Sequence, residues 1–144
     1  MYKKILVALD FSPESEAVGR RAAELAEQCG ARLSLIHVLE YLPMDLGDGM
    51  IPVEPMGFDE ELEARARERM DELAAKLGLE AVRRRLEVGA TRGEIVRAAE
   101  EEGADLIVVG SHDRHGLALL LGSTANSVLH HAPCDVLAVR LFDE

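Results

Sequence analysis

The chain has 144 residues, with 27 acidic side chains against 16 basic ones, a formal charge of -11 and 3% aromatic residues. That length suits one domain, 1–144, and is enough to bury a core without disulfide or metal staples. The acidic balance excludes a basic face for nucleic acid or anionic membrane, and the scarcity of Phe, Tyr and Trp excludes a base-stacking platform for single strands.

Cys29 and Cys134 are too few for a disulfide framework. The apolar run after Lys3 and Lys4 ends at Asp10, too short for a secretory leader or a membrane span. A reducing, cytoplasmic setting is therefore expected. With so few aromatic rings, the core must be aliphatic.

Ile5 to Leu9 is continuously apolar and predicts a strand buried on both faces. Ser12-Pro13 predicts a helix start, with Ser12 as the cap and Pro13 in the first turn. Ala17, Val18, Ala22, Leu25 and Ala26 recur at helical spacing, and Gly30 stands where the helix should close. Arg32 to Val38 predicts a second strand. The Pro- and Gly-rich stretch 39–57 predicts a long loop, a type of segment that in compact domains is usually functional or mobile. Asp59 then caps a charged helix through Leu77, stopped by Gly78.

Val82 to Val88 predicts a third strand. Its run Arg83-Arg84-Arg85 would be intolerable in a central parallel strand, so this one belongs at an edge, with the arginines solvated. Thr91-Arg92-Gly93-Glu94 matches a capping box and opens a helix to about Glu102. Asp105 to Gly110 is a fourth strand, apolar enough to be central. A loop over 111–121 follows, then a helix from Gly122-Ser123-Thr124 to His131. Pro133 ends it, and Asp135 to Arg140 predicts a fifth strand.

Strands alternating with helix-length crossovers predict an α/β fold: a five-stranded parallel doubly wound sheet, order 3-2-1-4-5, with helices on both faces. The first and fourth strands should be central neighbours. The crevice beyond their carboxyl ends is then the expected ligand site. There, Asp10 could accept hydrogen bonds from a ribose, and Gly110 leaves room at the strand exit. Gly122-Ser123-Thr124 would offer the free N–H groups and positive dipole of a helix start to a phosphate. Between Gly110 and Asn126 the only charged residues are Asp113 and Arg114, so anion affinity there is expected to come from backbone N–H groups.

Three runs make the pattern specific: Lys3-Lys4-Ile5-Leu6-Val7-Ala8-Leu9-Asp10-Phe11-Ser12, Leu35-Ile36-His37-Val38, and Gly110-Ser111-His112 with Gly122-Ser123-Thr124-Ala125-Asn126. Together with Cys134 to Arg140 they resemble the universal stress protein family over nearly the whole chain. The resemblance implies a Rossmann-like sheet of the adenine-nucleotide alpha hydrolase type and a homodimer. In one branch of the family it also implies binding of ATP, with magnesium. That branch carries a glycine, two residues, a second glycine, nine residues, a third glycine and then Ser or Thr. This chain has Gly110, then Asp113 in place of the second glycine, then Gly122 and Ser123, with the loop one residue shorter. The implied adenosine contacts are Ala8, Leu9, Asp10, Val38 and Val109. The implied phosphate contacts are Gly110, Gly122, Ser123, Thr124 and Ala125.

Other readings stand beside this one. A dimeric interaction protein of the same fold, with a vestigial nucleotide site, is the alternative. No Walker sequence is present, and the loop has no Lys, so hydrolysis should be slow or absent and no catalytic residue is assigned. The acidic pair and the strand-end Asp and Lys of a phosphotransfer receiver are missing. His112, His115, His130, His131 and Cys134 fit no standard zinc spacing, so no metal site is expected. The apolar fifth strand, Val136-Leu137-Ala138-Val139, invites pairing with a second copy, unless the tail at Leu141-Phe142 covers it.

Overall fold

The structure is a computed structural model, and it describes residues 1–40, 60–111 and 123–140. In chain order its elements are β1 (Lys4–Ala8), α1 (Ser15–Cys29), β2 (Arg32–Glu40), α2 (Glu60–Lys76), β3 (Arg83–Gly89), α3 (Thr91–Glu102), β4 (Leu106–Gly110), α4 (Ser123–His131) and β5 (Asp135–Val139). The strands form one sheet in the order β3-β2-β1-β4-β5. All pairings are parallel, including the central Ile5↔Leu106, Leu6↔Ile107 and Val7↔Val108.

Alternation along the strands divides the core in two. Ile5, Val7, Leu35, Leu106 and Val108 pack with Val18, Ala22 and Ala26 of α1 and with Met70 and Ala74 of α2. Leu6, Ile36, Val38, Ile107 and Val109 pack on the other face with Ile95, Ala98 and Ala99 of α3 and with Ala125 and Val128 of α4. Small residues on the helices let them lie close to a sheet of Val, Ile and Leu, so the aliphatic core expected from the composition is the one observed. Gly19 does the same between α1 and the end of α2, where a Cβ would meet Leu77 Cδ1 at 2.5 Å.

β3 is an edge strand, as its arginines require. Two of the three are not merely solvated, however. Arg84 pairs with Asp71 at 3.0 Å. Arg85, whose side chain is only 10% exposed, reaches Glu101 at 2.7 Å and Glu87 and Glu102 at 3.1 Å. Burial alone would favour a neutral Arg85, but the three carboxylates outweigh it and hold the guanidinium firmly protonated.

Two expected helix caps are absent. α1 begins at Ser15 with Glu14 as N-cap, and Pro13 lies in the turn before it. The Asp10 carboxylate captures the Ser12 N–H at 3.0 Å and the Ser15 hydroxyl at 2.9 Å, closing a separate turn first. At α3 the N-cap is Ala90, without a side-chain cap. Thr91 Oγ1 instead donates to Glu40 at 3.2 Å, and Glu94 pairs with Arg97, so the capping box does not form. β2 also runs two residues beyond its predicted end, to Glu40. Asp59, the rest of the 39–57 loop, Asp113, Gly122 and the tail at Leu141-Phe142 lie outside the described residues.

Candidate functional site

The chain order brings the site together. The connection leaving β1 runs to β2 on one side and the one leaving β4 runs to β5 on the other, so a crevice opens beyond the carboxyl ends of β1 and β4. A cavity of about 620 Å³ lies there. Ala8, Leu9, Asp10, Val38, Val109, Gly110 and Thr124 all line it. Ser123 begins α4 beside them in sequence. Ala125 is buried in the core beneath that helix start and does not line the cavity.

The β1–α1 turn is built in layers. Leu9 N–H still donates to Ile36 O at 2.9 Å, extending the sheet ladder by one residue. Asp10 is exposed, yet its carboxylate already accepts the two hydrogen bonds that shape the turn. Asp10 therefore stands at the crevice in a fixed orientation, and its place as organiser of the helix entry belongs to it rather than to Ser12.

Phe11 follows with φ of 63°, a left-handed backbone that a bulky side chain adopts only at a cost of roughly 1–2 kcal/mol. Two neighbours hold it there. The His37 ring lies 4.0 Å from the Phe11 ring, centroid to centroid and tilted by 32°. The Arg69 guanidinium covers Phe11 at 4.8 Å from its centroid, and Arg69 Nη2 donates to the Phe11 carbonyl at 3.2 Å. Phe11 is thus sandwiched between a β2 side chain and an α2 side chain.

Gly110 has a packing reason beside any ligand reason. A Cβ at that position would stand 3.3 Å from Val18 Cγ2 on α1. The strand exit and the first helix approach closely here, and the absence of a side chain keeps the floor of the crevice open.

Phe11, Ser15, His37, Leu62, Arg65 and Arg69 also line the cavity, and none of them was among the residues expected from the sequence. The two arginines alter the electrostatic account, because cations from α2 face a crevice whose anion affinity was expected to rest on backbone N–H groups alone. Their signal was present in the topology. A helix that follows a parallel strand starts at the strand's carboxyl end, so the first turns of α2 must lie near the crevice.

The sequence pattern of the universal stress protein family matches residues 1–140. A universal stress protein A homolog of Coxiella burnetii is 43% identical over 141 residues, covering 97% of this chain and 96% of that one. The chain belongs to the universal stress protein family. Among solved structures, a universal stress protein in complex with cAMP is 28% identical with a TM-score of 0.66, covering 96% of both chains. A universal stress protein of Archaeoglobus fulgidus in complex with dAMP is 25% identical with a TM-score of 0.64, covering 95% of this chain and 97% of that one. In this family member no helix among the described residues is long and apolar enough to cross a membrane. Nor do the described residues bring three or more His, Cys, Asp or Glu side chains together as a metal site.

Proposed function

We propose that this universal stress protein binds an adenine nucleotide, ATP being the expected one, at the β1–β4 crevice, with little or no hydrolysis. The observation that carries the reading is the convergence of Ala8, Asp10, Val38, Val109, Gly110 and Thr124 on one cavity of about 620 Å³. That volume is in the usual range for a small-molecule site, and an apolar wall from the strand ends beside polar and charged groups suits a purine carrying a ribose and phosphates. Ala8, Val38 and Val109 supply the apolar surface for the base. Asp10 supplies acceptors for ribose hydroxyls. The start of α4 supplies N–H groups and dipole for phosphate. A magnesium ion would arrive with the phosphates and keep most of its ligands from them and from water. The relatives with cAMP and dAMP support the adenine nucleotide class.

The same reading makes the chain a single domain acting as a cytoplasmic, dimeric stress-response regulator rather than an enzyme. β5 lies at a sheet edge, and Val136, Leu137 and Ala138 are only half-buried in one copy, which supports pairing through that strand.

Calorimetry with ATP and magnesium tests the site on wild-type protein, Gly110→Val and Asp113→Gly. Binding by wild type that is lost in Gly110→Val supports the proposal. No binding by wild type, with binding restored in Asp113→Gly, leaves the interaction protein with a vestigial site as the reading. Steady release of ADP at enzyme-like rates would contradict the assignment as a non-enzyme.

A further inference from the structure

α2 presents Leu62, Arg65, Ala66 and Arg69 to the crevice, at positions i, i+3, i+4 and i+7, which is one continuous helical face. The charge arrangement on this helix is uneven. Arg67, on another face, pairs with Glu63 at 3.2 Å. Arg65 has acidic residues within one helical turn, Glu61 and Glu68, yet has no ion-pair partner among the described residues. Arg69 bonds to a carbonyl rather than to a carboxylate, and its guanidinium lies over the ring of Phe11. A guanidinium has five N–H donors, and one carbonyl leaves most of them for a further acceptor.

Two guanidinium groups one turn apart repel each other and weaken a helix. An anion between them removes that repulsion and converts it into binding. The rest of the described lining needs this compensation, since Asp10, Glu14 and Glu40 bring three carboxylates to the same cavity. In a chain of formal charge -11, a nucleotide phosphate would otherwise enter an unfavourable field.

We infer that Arg65 and Arg69 form a cationic wall of the crevice, opposite the face that carries α4, and that this wall reads the number of phosphate charges on the ligand. The inference rests on the adenine nucleotide reading of the crevice. Arg65 is the contact residue. Arg69 contributes charge and also positions the β1–α1 turn through Phe11. Planar forked donors recognise phosphate oxygens in pairs, which a lysine cannot reproduce.

The test is calorimetric titration of the whole protein with ATP, ADP, AMP and adenosine at low and high salt. Wild type is expected to lose tenfold or more in affinity from ATP to AMP, with ATP binding weakened by salt. Arg65→Gln is expected to bring ATP within about threefold of AMP, with a smaller change for adenosine than for ATP, and Arg65→Lys to recover only part of the ranking. Arg69→Gln should flatten the ranking and also weaken adenosine, since it loosens the turn that holds Asp10. If Arg65→Gln keeps the wild-type ranking, or wild type shows none, the wall is overturned while the nucleotide site stands. If wild type binds none of the four ligands, both the wall and the nucleotide reading fall.

Discussion

Nδ1 of His37 stands 2.6 Å from the carbonyl oxygen of Leu9. A carbonyl only accepts, so Nδ1 carries the hydrogen, and β2 is tied to the end of β1 at the point where the chain leaves the sheet. The same ring supports Phe11. His37→Phe keeps an aromatic ring under Phe11 and deletes the donor. It should cost about 1 kcal/mol in urea unfolding, whereas His37→Ala should cost about 2–3 kcal/mol by losing the ring as well. Equal losses in the two variants would show that the hydrogen bond alone matters.

The glycine at the exit of β4 is a second point of control. Gly110→Ala places a Cβ 3.3 Å from Val18 Cγ2, close enough that Val18 must give by a few tenths of an ångström. Stability should fall by about 1 kcal/mol, at the low end for overpacking. Gly110→Val should cost roughly 2–3 kcal/mol. Combining Gly110→Ala with Val18→Ala should cost less than the sum of the two single variants, which thermal denaturation of all three would reveal.

At the opposite end of the sheet, Asp105 accepts the backbone N–H groups of Lys3 at 2.9 Å and Lys4 at 3.1 Å. These bonds hold its carboxyl below the usual aspartate range. A carboxyl depressed in the folded state stabilises fully above its unfolded value, and the contribution disappears as pH falls through the folded one. Asp105→Asn should therefore be less stable than wild type at neutral pH. The difference should narrow below the normal aspartate range, which a series of denaturation curves from neutral pH into acid would trace.

Arg85 offers a sharper electrostatic experiment. Its side chain is 10% exposed, and that of Glu102, 13% exposed, also accepts the Ser34 hydroxyl at 2.7 Å. Arg85→Ala strands that carboxylate and should cost about 2–4 kcal/mol, the larger share coming from the unpaired charge. Arg85→Met together with Glu102→Gln should cost markedly less than Arg85→Ala. A double-variant cost equal to that of Arg85→Ala would show that the lost hydrogen bonds of the network, not the stranded charge, carry the penalty.

Most of the architecture was readable from residue patterns. Ile5–Leu9 and Asp105–Gly110 were apolar enough to require the centre of the sheet, and Arg83-Arg84-Arg85 required an edge. Gly30 closes its helix in a left-handed conformation, as a terminal glycine should. The misreadings were local competitions between side chains. Asp10 outcompeted Ser12 for the turn, and Glu40 drew Thr91 away from its own helix end. Sequence spacing cannot rank such competitors, because the winner depends on what a distant strand brings within reach. The apolar side of the crevice was legible from β1, β2 and β4 for the same reason that the sheet was. Phe11, His37 and Arg69 were not, since their association joins three elements that only the packed helices bring together.

The two margins of the sheet are unlike. Along β3, Arg84 and Arg85 are engaged by acidic partners on α2, α3 and β3 itself, and Arg83 is exposed, so another strand approaching that side meets charge. Along β5, Val136, Leu137 and Ala138 offer half-buried aliphatic surface instead. A molecule with two adhesive margins could add copies indefinitely and grow into a fibre. In the dimer proposed above, a single adhesive margin would face its own image, and growth would stop at two.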